Sequence, residues 1–183
     1  IYTLEYIIYM LKHALEPSDT EIEKTSILII DDDEHILNML TAILFRQGYV
    51  TETAKNGAEA IEKSNAKFFN IALIDIVLPD MQGTQLLVKL KDAVPKMRKI
   101  IITGHASLDN AVEAVNLGAD AYIMKPVKSR ELLKVIEEQL TKQREDMAMI
   151  HEKVVEILKN IKSYVETKAK QLEQEEKRRE SYG

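Results

Sequence analysis

Ile71-Ala72-Leu73-Ile74-Asp75-Ile76-Val77-Leu78-Pro79-Asp80-Met81-Gln82-Gly83 is an apolar run that stops at a carboxylate and breaks into a Pro/Gly loop. A short apolar run bounded by turn residues reads as a buried strand. A second run, Ile27-Leu28-Ile29-Ile30, ends in Asp31-Asp32-Asp33. Two buried strands that both terminate in carboxylates bring like charges together, and each charge then needs a cation, a proton or water. If the strands are neighbours, the chain builds an acidic pocket suited to a metal ion. Asp75 is then its candidate reactive centre.

The same pattern repeats outward from these strands. Strand 27–30 precedes a helical pattern of Ile36, Leu37, Leu40, Ile43 and Leu44 that stops near Gly48. Strand 49–53 alternates and is expected at an edge, followed by a short helix over 57–65. Strand 71–74 leads through the Pro/Gly loop to helix 84–92. Strand 99–102 precedes helix 108–117, closed by Gly118, and strand 121–124 ends at Lys125-Pro126. Strand–helix alternation implies an α/β fold with a parallel sheet covered on both faces. In doubly wound sheets ligands bind beyond the carboxyl ends of the strands. Asp31, Asp32, Asp75, Thr103 and Lys125 all fall there.

The flanks differ. Residues 1–16 read as an amphipathic helix through Leu4, Ile7, Ile8, Leu11 and Leu15, with a polar linker over 16–25. From Val127 to Tyr182 there is neither Gly nor Pro. Leu133, Ile136, Leu140, Gln143, Met147, Ile150, Val154, Ile157, Ile161, Tyr164, Lys168 and Gln171 follow heptad spacing, with Gln143 as a polar break. Leu158, Val165 and Leu172 form a weaker second stripe. A helix over 130–180 would be about 75 Å long, more than a small domain can cover, so a coiled-coil partner is expected. Residues 173–180 are expected to fray. The organisation is then an N-terminal helix and linker (1–25), a central domain (26–140) and a C-terminal coiled-coil helix (141–183).

Composition limits the alternatives. The chain of 183 residues is 45% hydrophobic and 30% charged, which suits one packed domain with extra elements. A net charge of −5 gives no direct sign of nucleic-acid binding. No Cys is present, so disulfides and thiolate metal sites are excluded. The apolar N-terminal stretch is too short to span a membrane and lacks a signal peptide's basic start and small-residue cleavage site. These features fit a cytoplasmic chain. The first residue is Ile, as expected of a fragment or a processed product.

The strand-end residues define a chemistry. Mg²⁺ prefers carboxylate and carbonyl oxygens, which Asp31, Asp32 and Asp75 offer. An Asp75 oxygen could attack phosphorus, Thr103 could hydrogen-bond a phosphoryl oxygen, and Lys125 could neutralise another. The segments SILIIDDDEHI, ALIDIVLPDMQG, KIIITGHAS and GADAYIMKPV, in this order and spacing over about residues 26–140, resemble the receiver domain of two-component response regulators. The resemblance implies a flavodoxin-like sheet of order 2-1-3-4-5. It also implies Asp75 as phosphoacceptor from a histidine kinase, and Mg²⁺ held by Asp31, Asp32, Asp75 and the Val77 backbone carbonyl. Thr103 and Lys125 match the phosphate-contacting positions, and Tyr122 matches an aromatic switch partner of Thr103. Lys125-Pro126 would be cis. Val77 and His105 match positions that tune dephosphorylation, and Gly104 departs from a common Ala. Asp33 and Asp80 receive no chemical role.

Each residue taken alone has a plainer reading. The Asp31–Asp33 run could cap a helix, Thr103 could cap a strand end, Lys125 could be a solvated charge and Tyr122 half-buried packing. His13, His105 and His151 read as surface residues. Two other functions compete. A haloacid-dehalogenase-like phosphatase could use the Asp-x-Asp pair in Asp31–Asp33, but it needs a further acidic strand end after its Lys. An inert receiver could serve as a coiled-coil scaffold. The favoured expectation is a non-enzymatic regulator that dimerises through residues 140–165.

Overall fold

The computed structural model describes residues 25–90, 95–104 and 107–181. The expected helix over 1–16, nearly all of the linker, and His105 lie outside the described residues. The elements run β1 (Ser26–Ile30), α1 (Glu34–Phe45), β2 (Val50–Ala54), α2 (Gly57–Ala66), β3 (Ile71–Ile74), α3 (Gly83–Lys89), β4 (Arg98–Thr103), α4 (Leu108–Asn116), β5 (Ala121–Met124) and α5 (Ser129–Ser181). All strand pairs are parallel, in the order β2-β1-β3-β4-β5. This is the doubly wound, flavodoxin-like sheet with a long C-terminal helix.

Strand alternation divides the core between the two faces of the sheet. Ile27, Ile29, Ile71, Leu73, Ile100, Ile102 and Ile123 pack with Leu37, Leu40 and Leu44 of α1 and with Leu132, Ile136 and Leu140 of α5. Leu28, Ile30, Ala72, Ile74 and Ile101 pack with Ala60 of α2, Leu86 and Leu87 of α3 and Ala114 of α4. Both faces are covered, so β1 and β3 are apolar throughout rather than alternating. β2 sits at the edge, and its side chains grade from exposed Val50 to buried Ala54 without strict alternation. Gly48 and Gly118, at φ of 84° and 93°, supply the left-handed turns that stop α1 and α4.

Three boundaries depart from the periodicity. α3 ends at Lys89, because Leu90 turns extended and buries in the core. The tail expected to fray stays helical to Ser181, as no Gly or Pro interrupts it. The third departure is the start of the heptad seam, which is consumed by the domain itself. Leu132 rather than Leu133 is fully buried, and Gln143 is no break in a coiled-coil stripe. Its amide nitrogen donates to the carbonyls of Asn70 (3.1 Å) and Lys96 (2.7 Å), and its oxygen accepts from Asn70 Nδ2 (3.1 Å). Asn70 Oδ1 in turn accepts from Ser26 N (2.9 Å). Nearby, the Arg98 guanidinium bridges Asp120 and Asp146.

One turn of α5 thus closes the amino ends of β1, β3 and β4. The compact unit accordingly spans Ile22–Asp146. From Met147 onward the helix belongs to a second unit. No helix among the described residues is long and apolar enough to cross a membrane.

Replacing Gln143 by Ala strands two carbonyls in a site that is 5% exposed. The expected loss is about 1–3 kcal/mol, read as a lower urea midpoint with an unchanged m-value.

Candidate functional site

Register places the pocket. Ile30 pairs with Ile74, so Asp31 and Asp75 leave neighbouring strands at the same level. The Asp75 amide donates to the Ile30 carbonyl (2.9 Å), and the Asp31 amide donates to the Ala54 carbonyl (3.1 Å). Thr103 pairs with Met124, and the Lys125 amide donates to the Thr103 carbonyl (2.8 Å). Lys125 Nζ then donates to Asp31 Oδ2 (2.7 Å) and Asp75 Oδ2 (2.6 Å). The Lys125-Pro126 peptide is cis.

Asp31, Asp32 and Asp75 can each direct an oxygen into a space where these atoms lie within 4.8 Å of one another. Asp31 and Asp75 are buried and Asp32 is exposed. Burial pushes the Asp31 carboxyl up, and this outweighs the opposing hydrogen bonds from Lys125 and the Asp33 amide. Burial alone would lower Lys125, but its bonds to Asp31 and Asp75 prevail and hold it above the usual lysine value. The ammonium therefore stays charged at neutral pH. One cation against three carboxylates leaves the pocket net negative, open through Asp32, and lined by oxygen. That donor set fits a hard divalent ion such as Mg²⁺.

The other expected residues lie around this centre. Thr103 is fully buried at the end of β4. Val77 is exposed, and its amide donates to Asp75 Oδ1 (3.3 Å). Val77 and Gln82 form an isolated bridge whose hydrogen bond runs from the Gly83 amide to the Ile76 carbonyl (2.7 Å). The Val77 carbonyl is therefore not used by that bond. Tyr122 is half-buried, faces the α4 side of the sheet, and has a buried hydroxyl with no partner among the described residues. A Cβ at Gly104 would only touch Lys125 at 4.0 Å, so the missing methyl alters little.

Two acids that the sequence left without a role have structural ones. Asp33 accepts from the His35 amide (2.8 Å) and caps α1. Asp80 accepts from the amides of Gly57 (2.8 Å) and Ala58 (2.9 Å). The first follows from capping preference. The second joins distant segments, and a single sequence carries no signal for it.

Residues 27–137 match the family model for the response regulator receiver domain. The chain is 36% identical over 122 residues to the transcriptional regulatory protein ZraR of Klebsiella oxytoca, covering 67% of this chain and 28% of that protein. It is 33% identical over 123 residues to the DNA-binding transcriptional regulator NtrC of Proteus hauseri, covering 67% and 26%. The chain thus spans about a quarter of the length of these curated relatives. Among solved structures, a CheY-like response regulator receiver domain protein from Methanospirillum hungatei JF-1 is 49% identical with a TM-score of 0.65, covering 68% of this chain and 99% of that one. A response regulator from Burkholderia pseudomallei, crystallised with a phosphorylated aspartic acid, calcium ion and citrate, is 32% identical with a TM-score of 0.60, covering 69% and 74%.

Lys125→Met leaves Asp31 buried without its cation. The expected loss is about 1–3 kcal/mol at pH 7, below the full figure for a deeply buried pair because Lys125 keeps some exposure. Asp31 already titrates above its ordinary value in the folded state, and losing the Lys125 bond raises it further. The stability a raised acid contributes is fully present below its unfolded pKa and is lost as pH rises through the folded value. The deficit should therefore be largest at neutral pH and shrink on acidification, as measured by urea unfolding across a pH series.

Proposed function

The chain belongs to the response regulator receiver domain family, and from that premise we propose that it is a two-component signalling module switched by phosphorylation of Asp75. The partner would be a histidine kinase. An Asp75 carboxylate oxygen attacks phosphorus, the phosphorus–nitrogen bond of the kinase phospho-histidine breaks, and the imidazole leaves. Asp31, Asp32, Asp75 and the Val77 carbonyl would hold Mg²⁺, which supplies charge neutralisation for phosphoryl transfer. Lys125 already contacts Asp75 and would follow the new charge onto a phosphoryl oxygen. Thr103 would donate its hydroxyl to another.

The observation that carries this reading is the Lys125 ammonium shared between Asp31 (2.7 Å) and Asp75 (2.6 Å) at the ends of adjacent strands. A phosphoryl group on Asp75 alters that shared contact directly. Tyr122, whose buried hydroxyl has no hydrogen-bond partner among the described residues, loses no hydrogen bond there if it moves with Thr103. Such a local charge change can bias a two-state packing.

The competing functions have less support. A haloacid-dehalogenase-like phosphatase needs another acidic strand end beyond Lys125, where the described residues form the single helix α5. An inert scaffold would not need the complete acidic cluster and its lysine.

The receiver in this reading starts at residue 26 and includes the turn anchored by Gln143, and residues 1–25 flank it. The output would be the helix beyond Met147, where Ile150, Ile157, Ile161 and Tyr164 are exposed at heptad spacing. A second copy of the chain would cover them.

Beryllofluoride with Mg²⁺ should bind the wild type and fail to bind Asp75→Ala, followed by titration calorimetry. Equal binding by both would refute the assignment. The chain should also scatter light as a dimer at tens of micromolar, and Ile157→Asp with Ile161→Asp should return it to a monomer.

A further inference from the structure

The loop that leaves Asp75 is held by a residue outside the acidic cluster. Ile76 and Gly83 close its base through the 2.7 Å hydrogen bond, and a Cβ on Gly83 would lie 2.0 Å from the Asp75 carbonyl oxygen. The base is therefore pressed against the Asp75 backbone. At the tip, the two Asp80 oxygens separately accept from Gly57 N (2.8 Å) and Ala58 N (2.9 Å). Met81 lies over the same turn, since a Cβ on Gly57 would fall 2.4 Å from its sulfur. The helix has its own cap, as Asn56 Oδ1 accepts from Glu59 N (2.8 Å). Asp80 thus takes the helix donors that Asn56 leaves. The Gly57 N–H is the foremost cause that holds the Asp80 carboxyl below the usual range, so it remains ionised at neutral pH.

We propose that Asp80 is a positioning residue: by gripping the Gly57 and Ala58 amides it fixes the path from Asp75 to Gly83, and with it the Asp75 carboxylate and the Val77 carbonyl that would hold the metal. A side chain that orients metal ligands without touching the ion behaves as an outer partner of the site. This inference rests on the proposed Mg²⁺ and phosphoryl chemistry of Asp75.

The test separates positioning from helix stability. Asp80→Ala frees the loop tip, Asp80→Asn retains one acceptor, and Asn56→Ala weakens the same helix end without touching the loop. Each is measured by Mg²⁺ titration calorimetry without any phosphodonor, and by urea unfolding. Asp80→Ala should weaken Mg²⁺ binding about tenfold or more, Asp80→Asn by less, and Asn56→Ala hardly at all despite its lower urea midpoint. Equal Mg²⁺ affinity in wild type and Asp80→Ala would overturn the positioning role while leaving the function intact. So would matching losses in Asp80→Ala and Asn56→Ala. If the wild type bound no Mg²⁺, the functional reading itself would fail, and this inference with it. Asp80→Asn keeps the comparison available should Asp80→Ala fold poorly.

Discussion

Two carboxylates at the ends of adjacent buried strands would repel, and one lysine directly after β5 offsets the repulsion. Lys125 reaches past β4 to Asp31 and Asp75 at 2.7 and 2.6 Å. This contact sets requirements for the rest of the fold. β1 and β3 must be neighbours in register, and Lys125 must follow directly after β5. A parallel sheet of order 2-1-3-4-5 meets both. Burial raises the pKa of Asp31 while the paired lysine stays charged. One ammonium among three carboxylates leaves the pocket short of positive charge.

The opposite end of the sheet is closed by a different chemistry. There the groups to be satisfied are backbone carbonyls and one guanidinium, and α5 provides the partners through Gln143 and Asp146. α5 also contributes Leu132, Ile136 and Leu140 to the core beside α1. The helix whose heptad count starts at Leu133 thus spends its first part, through Gln143 and Asp146, on its own domain. From Met147 onward the helix belongs to the second unit.

Much of this was legible in the sequence because the strong signals are local. Apolar runs ending in Asp, Gly48 and Gly118 at helix stops, and the Pro/Gly loop after Asp75 each act within a few residues. The pocket residues were legible because strand ends collect ligands in any doubly wound sheet. Gln143 and Asp80 were not, for a common reason. Each satisfies backbone groups of a segment distant in sequence, and backbone groups leave no mark on composition. Gln143 even sat at a heptad position, where polarity reads as a break rather than as a partner for Asn70 and Lys96. The swap of Leu133 for Leu132 has a similar origin, since a long apolar helix offers several stripes and only the neighbouring core selects one.

The pocket is not held equally on all sides. Asp31 is tied by its own amide to Ala54 and through its carboxylate to the Asp33 amide. The Asp75 loop is closed at Ile76–Gly83 and gripped at Asp80. The Lys125 amide is tied to Thr103. Against these stands Tyr122 of β5, in register with Ile101 of β4 and carrying a buried hydroxyl without a partner among the described residues. A hydroxyl left in that state loses little by moving and gains if movement finds water or a partner. Packed interiors respond to a local change by shifting between discrete arrangements rather than deforming evenly. Hydrogen bonds hold both Asp31 and the Asp75 loop, so under the proposed function a charge change at Asp75 would be expressed in the side chains on the β4–β5 side, where Thr103 and Tyr122 lie.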